Sequence, residues 1–306
     1  MGNKIINRAF LFPGQGSQFQ GMGKDLFEQY PEAKQLYNKA NHILGYNISE
    51  ISFNGSLEEI SKTIHTQPII YIYSMIIDLL IKKYIHPTTV AGHSLGEISA
   101  LCSAGIISFE DGMEIIKVRA EAMHNAGSHR SGKMLAVLKA NKNDIDKIIS
   151  NIEGEIVYAN INSQDQVVLS GDTDSIDKVY IYLKNIKCKA IPLNVSGAFH
   201  SPLMKNARES IKNIINSVNF KYSNIGIYQN FNASVEFEIT NIKENLIKQL
   251  ESTVLWNEII INMSSSIDEY YEIGPKKVLT GLNKKIIPES KTINISSYVD
   301  VSKYEI

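Results

Sequence analysis

The run Gly92-His93-Ser94-Leu95-Gly96 constrains the fold more than any other five residues of the chain. It follows an apolar run of strand character, Thr89-Val90-Ala91, and precedes a helical run over 97–104. A strand-to-helix turn this sharp needs residues without side-chain bulk around its apex, and Gly92 and Gly96 supply them. The serine is then pushed outward with its hydroxyl exposed. The five letters alone also occur as an incidental turn; the strand before and the helix after favour the catalytic reading.

The rest of the chain follows the same grammar. Short apolar runs such as Ala9-Phe10-Leu11-Phe12 alternate with longer helical stretches, an α/β signature without an internal repeat. Between 134 and 195 the order changes: 134–138, 156–161, 167–170 and 190–195 read as strands, with charged helical stretches between them. Strand-helix-strand-strand-helix-strand is a ferredoxin-like order. The expectation is therefore a small ferredoxin-like domain at 133–195, inserted into a large α/β domain built jointly by 1–132 and 196–306. The tail beyond Pro288 is weakly patterned. With 306 residues, 43% hydrophobic and 21% charged, the chain can bury a large core. Single cores stop growing near ~250 residues, so length admits this division but does not choose it.

Several functions are disfavoured. A formal net charge of −1 offers no long-range field for nucleic acid or an anionic membrane. Cys102 and Cys188 have neither disulfide-framework nor zinc-ligand spacing and read as small hydrophobes of a reducing compartment, hence a cytoplasmic protein. Residues 1–8 lead into no long apolar region with a cleavage site, so no secretory signal is read there. The most apolar stretch, 69–81, contains Ser74 and Asp78, falls short of the ~18 residues of a membrane span, and predicts a buried helix.

A serine nucleophile needs an oxyanion hole and a base. Unpaired N–H groups at a helix start make the Leu95 amide one oxyanion donor. The loop Phe12-Pro13-Gly14-Gln15-Gly16-Ser17-Gln18, directly after the first predicted strand, is glycine-rich. It lacks the lysine and spacing of a phosphate-binding P-loop, and makes better sense as the second donor than as a plain turn. Of seven histidines, His200 stands out because it follows a predicted strand on a loop. His93 lies beside the nucleophile with its side chain expected to point away, orienting the turn. His42, His65, His86, His124 and His129 have no distinguishing context. No acidic third member announces itself, and a backbone carbonyl can hold the base as well.

Taken together these residues resemble the malonyl-CoA:acyl carrier protein transacylases, most of all the trans-acting acyltransferases of polyketide synthases. The resemblance runs almost end to end: Phe12 to Gln18 with Gly21-Met22-Gly23, Thr66-Gln67-Pro68, Gly92-His93-Ser94-Leu95-Gly96-Glu97, Asn162-Ser163 with Gln166-Val167-Val168, Ala198-Phe199-His200-Ser201, and Gly274-Pro275 with Val278-Leu279-Thr280-Gly281-Leu282. It implies an α/β-hydrolase-like large domain, an inserted ferredoxin-like small domain and a site in the cleft between them. Ser94 is the implied nucleophile, His200 the base and acid, and the Gln15 and Leu95 amides the oxyanion hole. Arg119 is implied to pair with the malonyl carboxylate, through two parallel hydrogen bonds that a neutral acyl group cannot accept.

Leu95 and Phe199 are of the types found in malonyl-selective members; bulk at Phe199 crowds a branched acyl carbon. At Leu255 many relatives carry Gln or Arg, and the resemblance places the histidine's orienting carbonyl there. The implied reaction is ping-pong transfer of malonyl from malonyl-CoA to the phosphopantetheine thiol of an acyl carrier protein, with no bound cofactor or metal, by a monomer. Competing readings are the fatty acid synthesis transacylase, a thioester hydrolase acting on carrier proteins, and a non-catalytic carrier-docking protein. Retention of Arg119 speaks against the hydrolase, and an intact Ser94, His200 and Arg119 against the docking protein.

Overall fold

The computed structural model describes residues 6–129 and 132–305; positions 1–5, part of the segment inspected for a secretory signal, lie outside the described residues. The described residues form ten strands: β1 (Arg8–Phe12), β2 (Thr89–Gly92), β3 (Gly132–Leu138), β4 (Ile156–Ser163), β5 (Gln166–Asp172), β6 (Lys189–Pro192), β7 (Gly226–Tyr228), β8 (Val235–Glu236), β9 (Glu269–Ile273) and β10 (Lys291–Ile295). They make two sheets. The larger has the order β10-β9-β1-β2-β7-β8, parallel except for β8 at one edge.

Strand β1 shows why this sheet is parallel and central. Phe10 and Phe12 enter the main core, which contains the helix Thr63–Ile81, whereas Ala9 and Leu11 enter a second core with Trp256 and Tyr270. Side chains alternate between faces along a strand, so burial of all four means that helices cover both sides. The helix Thr63–Ile81 is long and apolar enough to cross a membrane by length and composition, but most of its residues are buried inside the protein, as the reading of 69–81 expected.

The second sheet has the order β4-β5-β3-β6, antiparallel throughout. The helix Lys142–Ser150 joins β3 to β4, and Thr173–Asn185 joins β5 to β6, which is the ferredoxin-like arrangement. Leu135, Ile145, Leu169, Ile176, Val179 and Leu183 form its own core. One expectation needs correcting. The last small strand ends at Pro192, not at 195: it is an edge strand, proline donates no ladder hydrogen bond, and Leu193 to Val195 turn into the cleft instead. The tail beyond Pro288 is ordered as β10 and the helix Tyr298–Ser302, because pairing with β9 supplies what its own pattern lacks.

Phe12 lies opposite Gly92 in the parallel pair β1–β2, so the loop after β1 and the turn after β2 leave the sheet side by side. Ligands of open α/β sheets bind at such carboxyl ends. The small sheet is tied to this edge by β4: the Ile161 amide donates to the Val254 carbonyl at 3.0 Å and the Val254 amide to that of Ala159 at 2.8 Å.

Candidate active site

The serine turn is built by close approach. A methyl group on Gly92 would lie 1.9 Å from the backbone of Gly96, and one on Gly96 would lie 2.0 Å from the Phe12 carbonyl oxygen. Any larger residue would push strand and helix apart. Ser94 takes a left-handed backbone, φ 54°, a conformation that costs a non-glycine residue roughly 1–3 kcal/mol. Asn230 holds it there: its Oδ1 accepts from the Ser94 amide at 2.6 Å and its Nδ2 donates to the Gly92 carbonyl at 2.6 Å.

The serine hydroxyl meets two groups from distant parts of the chain. Ser94 Oγ is 2.7 Å from His200 Nε2, and Arg119 Nη2 donates to it at 3.0 Å. His200 is buried, also with a left-handed φ of 58°, and its Nδ1 lies 2.9 Å from the Gln249 carbonyl. A carbonyl accepts only, so Nδ1 carries the proton and Nε2 is left with a lone pair facing the serine. Burial first, and the Arg119 charge second, push the His200 pKa down to about 3, so the ring is neutral at ordinary pH.

The orienting partner is therefore Gln249 and not Leu255. Gln249 ends the helix Ile239–Gln249, where carbonyls lack intrahelical partners. Leu255 instead precedes the helix Trp256–Met263 and spends its amide on the Asn230 carbonyl at 3.1 Å. His93 turns away from the serine, as expected, with Nε2 2.8 Å from Asn162 Oδ1 of β4; burial holds its pKa below the usual histidine range. The side chain of His129 lies outside the described residues.

Among the described residues, the Gln15 and Leu95 amides donate to no protein acceptor, and both residues line the cleft with Ser94 and His200. The Ser94 amide is excluded as an oxyanion donor, being engaged by Asn230. Gln18 Oε1 accepts from the Gly16 amide at 2.8 Å and sets the loop beside Gln15.

Arg119, from the helix Phe109–His129, is buried, and among the described residues its hydrogen-bond partners are all neutral: Gln67 Oε1 at 2.8 Å, Gln249 Oε1 at 3.2 Å and Ser94 Oγ. Burial lowers its pKa to about 10, and it stays cationic. The cleft has a volume of about 280 Å³ and takes its walls from both sheets, with Met123, Met134, Leu193 and Phe199 as apolar lining. Among the described residues no group of three or more His, Cys, Asp or Glu could hold a metal ion.

Sequence reasoning found Ser94, His200, Arg119, Gln15, Leu95 and Phe199, and the fold gathers all six into one cleft. It missed Asn230 and the carbonyl of Gln249. Neither residue lies in a motif, and both act across more than 130 positions of chain on the serine turn, Gln249 through a bond from its side-chain amide to the Ser94 carbonyl.

A hydroxyl, a neutral imidazole accepting its proton and two unspent amides can form and discharge an acyl–serine ester, which defines a serine-dependent acyl-handling enzyme. A profile of the acyl transferase domain family matches residues 9–298. A malonyl CoA-acyl carrier protein transacylase of Bacillus subtilis (strain 168) is 40% identical over 294 residues, 94% of this chain and 93% of that protein. Among solved structures, a malonyl-CoA:acyl carrier protein transacylase from Xanthomonas oryzae pv. oryzae superposes with a TM-score of 0.93 at 30% identity, covering 98% of this chain and 97% of the other. A malonyl-transacylase solved in complex with its type II polyketide synthase acyl-carrier protein gives 0.91 at 30% identity, over 97% and 98%. The chain belongs to the acyl transferase family, among its malonyl CoA-acyl carrier protein transacylases.

Proposed function

We propose that this acyltransferase moves malonyl from malonyl-CoA to the phosphopantetheine thiol of an acyl carrier protein through an ester on Ser94. His200 Nε2 takes the hydroxyl proton as Oγ attacks the thioester carbonyl. The Gln15 and Leu95 amides hold the oxyanion, the C–S bond breaks, and the proton passes to the departing thiolate. The carrier's thiol then gives its proton to His200 and attacks the ester, returning Ser94 to its hydroxyl. One observation carries the malonyl assignment: a buried guanidinium, with no carboxylate in direct contact among the described residues, stands 3.0 Å from the nucleophile. A malonyl carboxylate can satisfy it; an acetyl group leaves it unpaired.

Incubation with malonyl-CoA followed by intact mass measurement should show one malonyl adduct on the wild type and none on Ser94→Ala. An adduct surviving that substitution would overturn the assignment. Release of free malonate at the rate of loading, without a carrier, would favour a thioester hydrolase.

The finer reading places the carrier in a polyketide assembly line. It is supported by the resemblance at Asn162-Ser163, Gln166-Val167-Val168 and Ala198-Phe199-His200, and by the relative solved with a polyketide carrier protein. Loading of a polyketide and a fatty acid carrier protein in parallel tests it: at least about tenfold higher kcat/KM for the former is expected, and parity or the reverse assigns the chain to fatty acid synthesis. We also propose that 133–195 is a domain inserted into a catalytic domain made by 1–132 and 196–306, supported by the separate core of the small sheet.

A further inference from the structure

Glu97 follows the serine turn, and no step above uses it. It is fully buried in the first turn of the helix Gly96–Ser103, without a direct ion pair among the described residues. Three donors converge on its carboxylate: the Asn230 amide at 2.8 Å and Gln249 Nε2 at 3.1 Å on Oε2, and Gln229 Nε2 at 3.1 Å on Oε1.

The donor identities are fixed independently of Glu97. The Asn230 group is a backbone N–H. Gln249 must turn its oxygen to Arg119, which only donates, and its nitrogen to the Ser94 carbonyl, which only accepts, at 3.0 Å. Gln229 Nε2 likewise faces the Ile242 carbonyl at 3.0 Å. A group surrounded by three donors must accept from all of them, as a carboxylate does and a carboxamide cannot without turning an N–H onto a donor.

Two of the three donors lead to the catalytic machinery, while Gln229 ties the carboxylate to the Ile242 carbonyl and Asn245. Asn230 carries the Ser94 amide on its side chain. Gln249 carries Arg119 on its Oε1. We propose that Glu97 is a positioning residue for acyl selectivity: one buried carboxylate registers the nucleophile turn, through Asn230, against the acyl-carboxylate clamp, through the Gln249 side chain. Resting on the assignment of Arg119 to the malonyl carboxylate, it predicts that the clamp loses its aim when the anion behind it is removed. The anion also supplies the long-range counter-charge that favours the buried guanidinium.

The test compares malonyl and acetyl loading by wild type, Glu97→Gln, Gln249→Met and Arg119→Ala, with thermal melting as a check on folding. Gln249→Met keeps the main-chain carbonyl that holds His200 and removes the side-chain bonds to Glu97, Arg119 and the Ser94 carbonyl, so it breaks the link from the clamp side and carries the test if Glu97→Gln fails to fold. The malonyl-to-acetyl ratio of kcat/KM should fall at least about tenfold in each of the two variants, mainly through KM for malonyl-CoA, and no further when they are combined. Loss of malonyl and acetyl loading in equal proportion, or an unchanged ratio in the folded variants, overturns the proposal. If Arg119→Ala itself leaves the ratio unchanged, the underlying assignment of Arg119 fails instead.

Discussion

Ser94 is held in a backbone conformation that it would not adopt alone, and Asn230 is the side chain that holds it. Asn230→Ala should therefore lower kcat for malonyl loading by about 10²-fold, because a nucleophile misplaced by a fraction of an ångström loses its attack geometry; steady-state kinetics with KM little changed would bear this out. His200 gives a pH prediction. Its pKa of about 3 in the fold lies below the ~6.5 of an unfolded chain, so the base stays deprotonated well below neutrality. Malonyl loading kcat/KM should show no histidine-like fall between about pH 7.5 and 5, and an acid limb centred near 6.5 would contradict the burial argument. The same shift acts on stability with a definite sign. Below pH ~6.5 the unfolded chain takes a proton that the buried ring refuses, so stability falls with pH down to about 3, by roughly 2 kcal/mol between 6.5 and 5. Thermal melts of wild type and His200→Ala over that window should differ in slope accordingly.

At the scale of elements, the turn between β2 and the helix Gly96–Ser103 is the joint on which the site depends. Gly96→Ala puts a methyl group against the Phe12 carbonyl, and backbone cannot yield as a flexible side chain can. A loss of about 2 kcal/mol or more is expected in urea unfolding, and a value below 0.5 kcal/mol would mean that the turn relaxes freely. This joint was readable because its requirement is local: small residues at two positions four apart, with a strand before and a helix after. The end of β6 and the existence of β10 were not, since each depends on a neighbouring strand that local pattern does not reveal. Leu255 illustrates the same limit. Its expected role fell to Gln249, because which carbonyl is free is decided by where a helix stops.

For the whole molecule, the cleft lies where the small sheet, which packs one set of side chains into its own core and Met134, Ala159 and Val168 into the main core, meets the loops after β1 and β2. If 133–195 is a folding unit of its own, a cavity made there stays local. Ile176→Ala, in the centre of the small core, should cost about 2–5 kcal/mol. Hydrogen exchange should quicken across β3 to β6 while β1, β2 and β9 remain slow. Equal acceleration in both sheets would show one cooperative unit and defeat the inserted-domain proposal.

The sequence by itself determined the α/β class and the ferredoxin-like order of the second sheet, which follow from local periodicity, and singled out Ser94 by its strand-turn-helix setting, whereas His200 and Arg119 took their expected roles from the family resemblance. Only the tertiary structure decided that Gln249 orients the base, that Asn230 fixes the serine turn and that Glu97 stands behind both. Those three act through hydrogen bonds between residues far apart in sequence. Such a bond has no local period or spacing to announce it; it exists only once packing has brought donor and acceptor within 3 Å or so of each other.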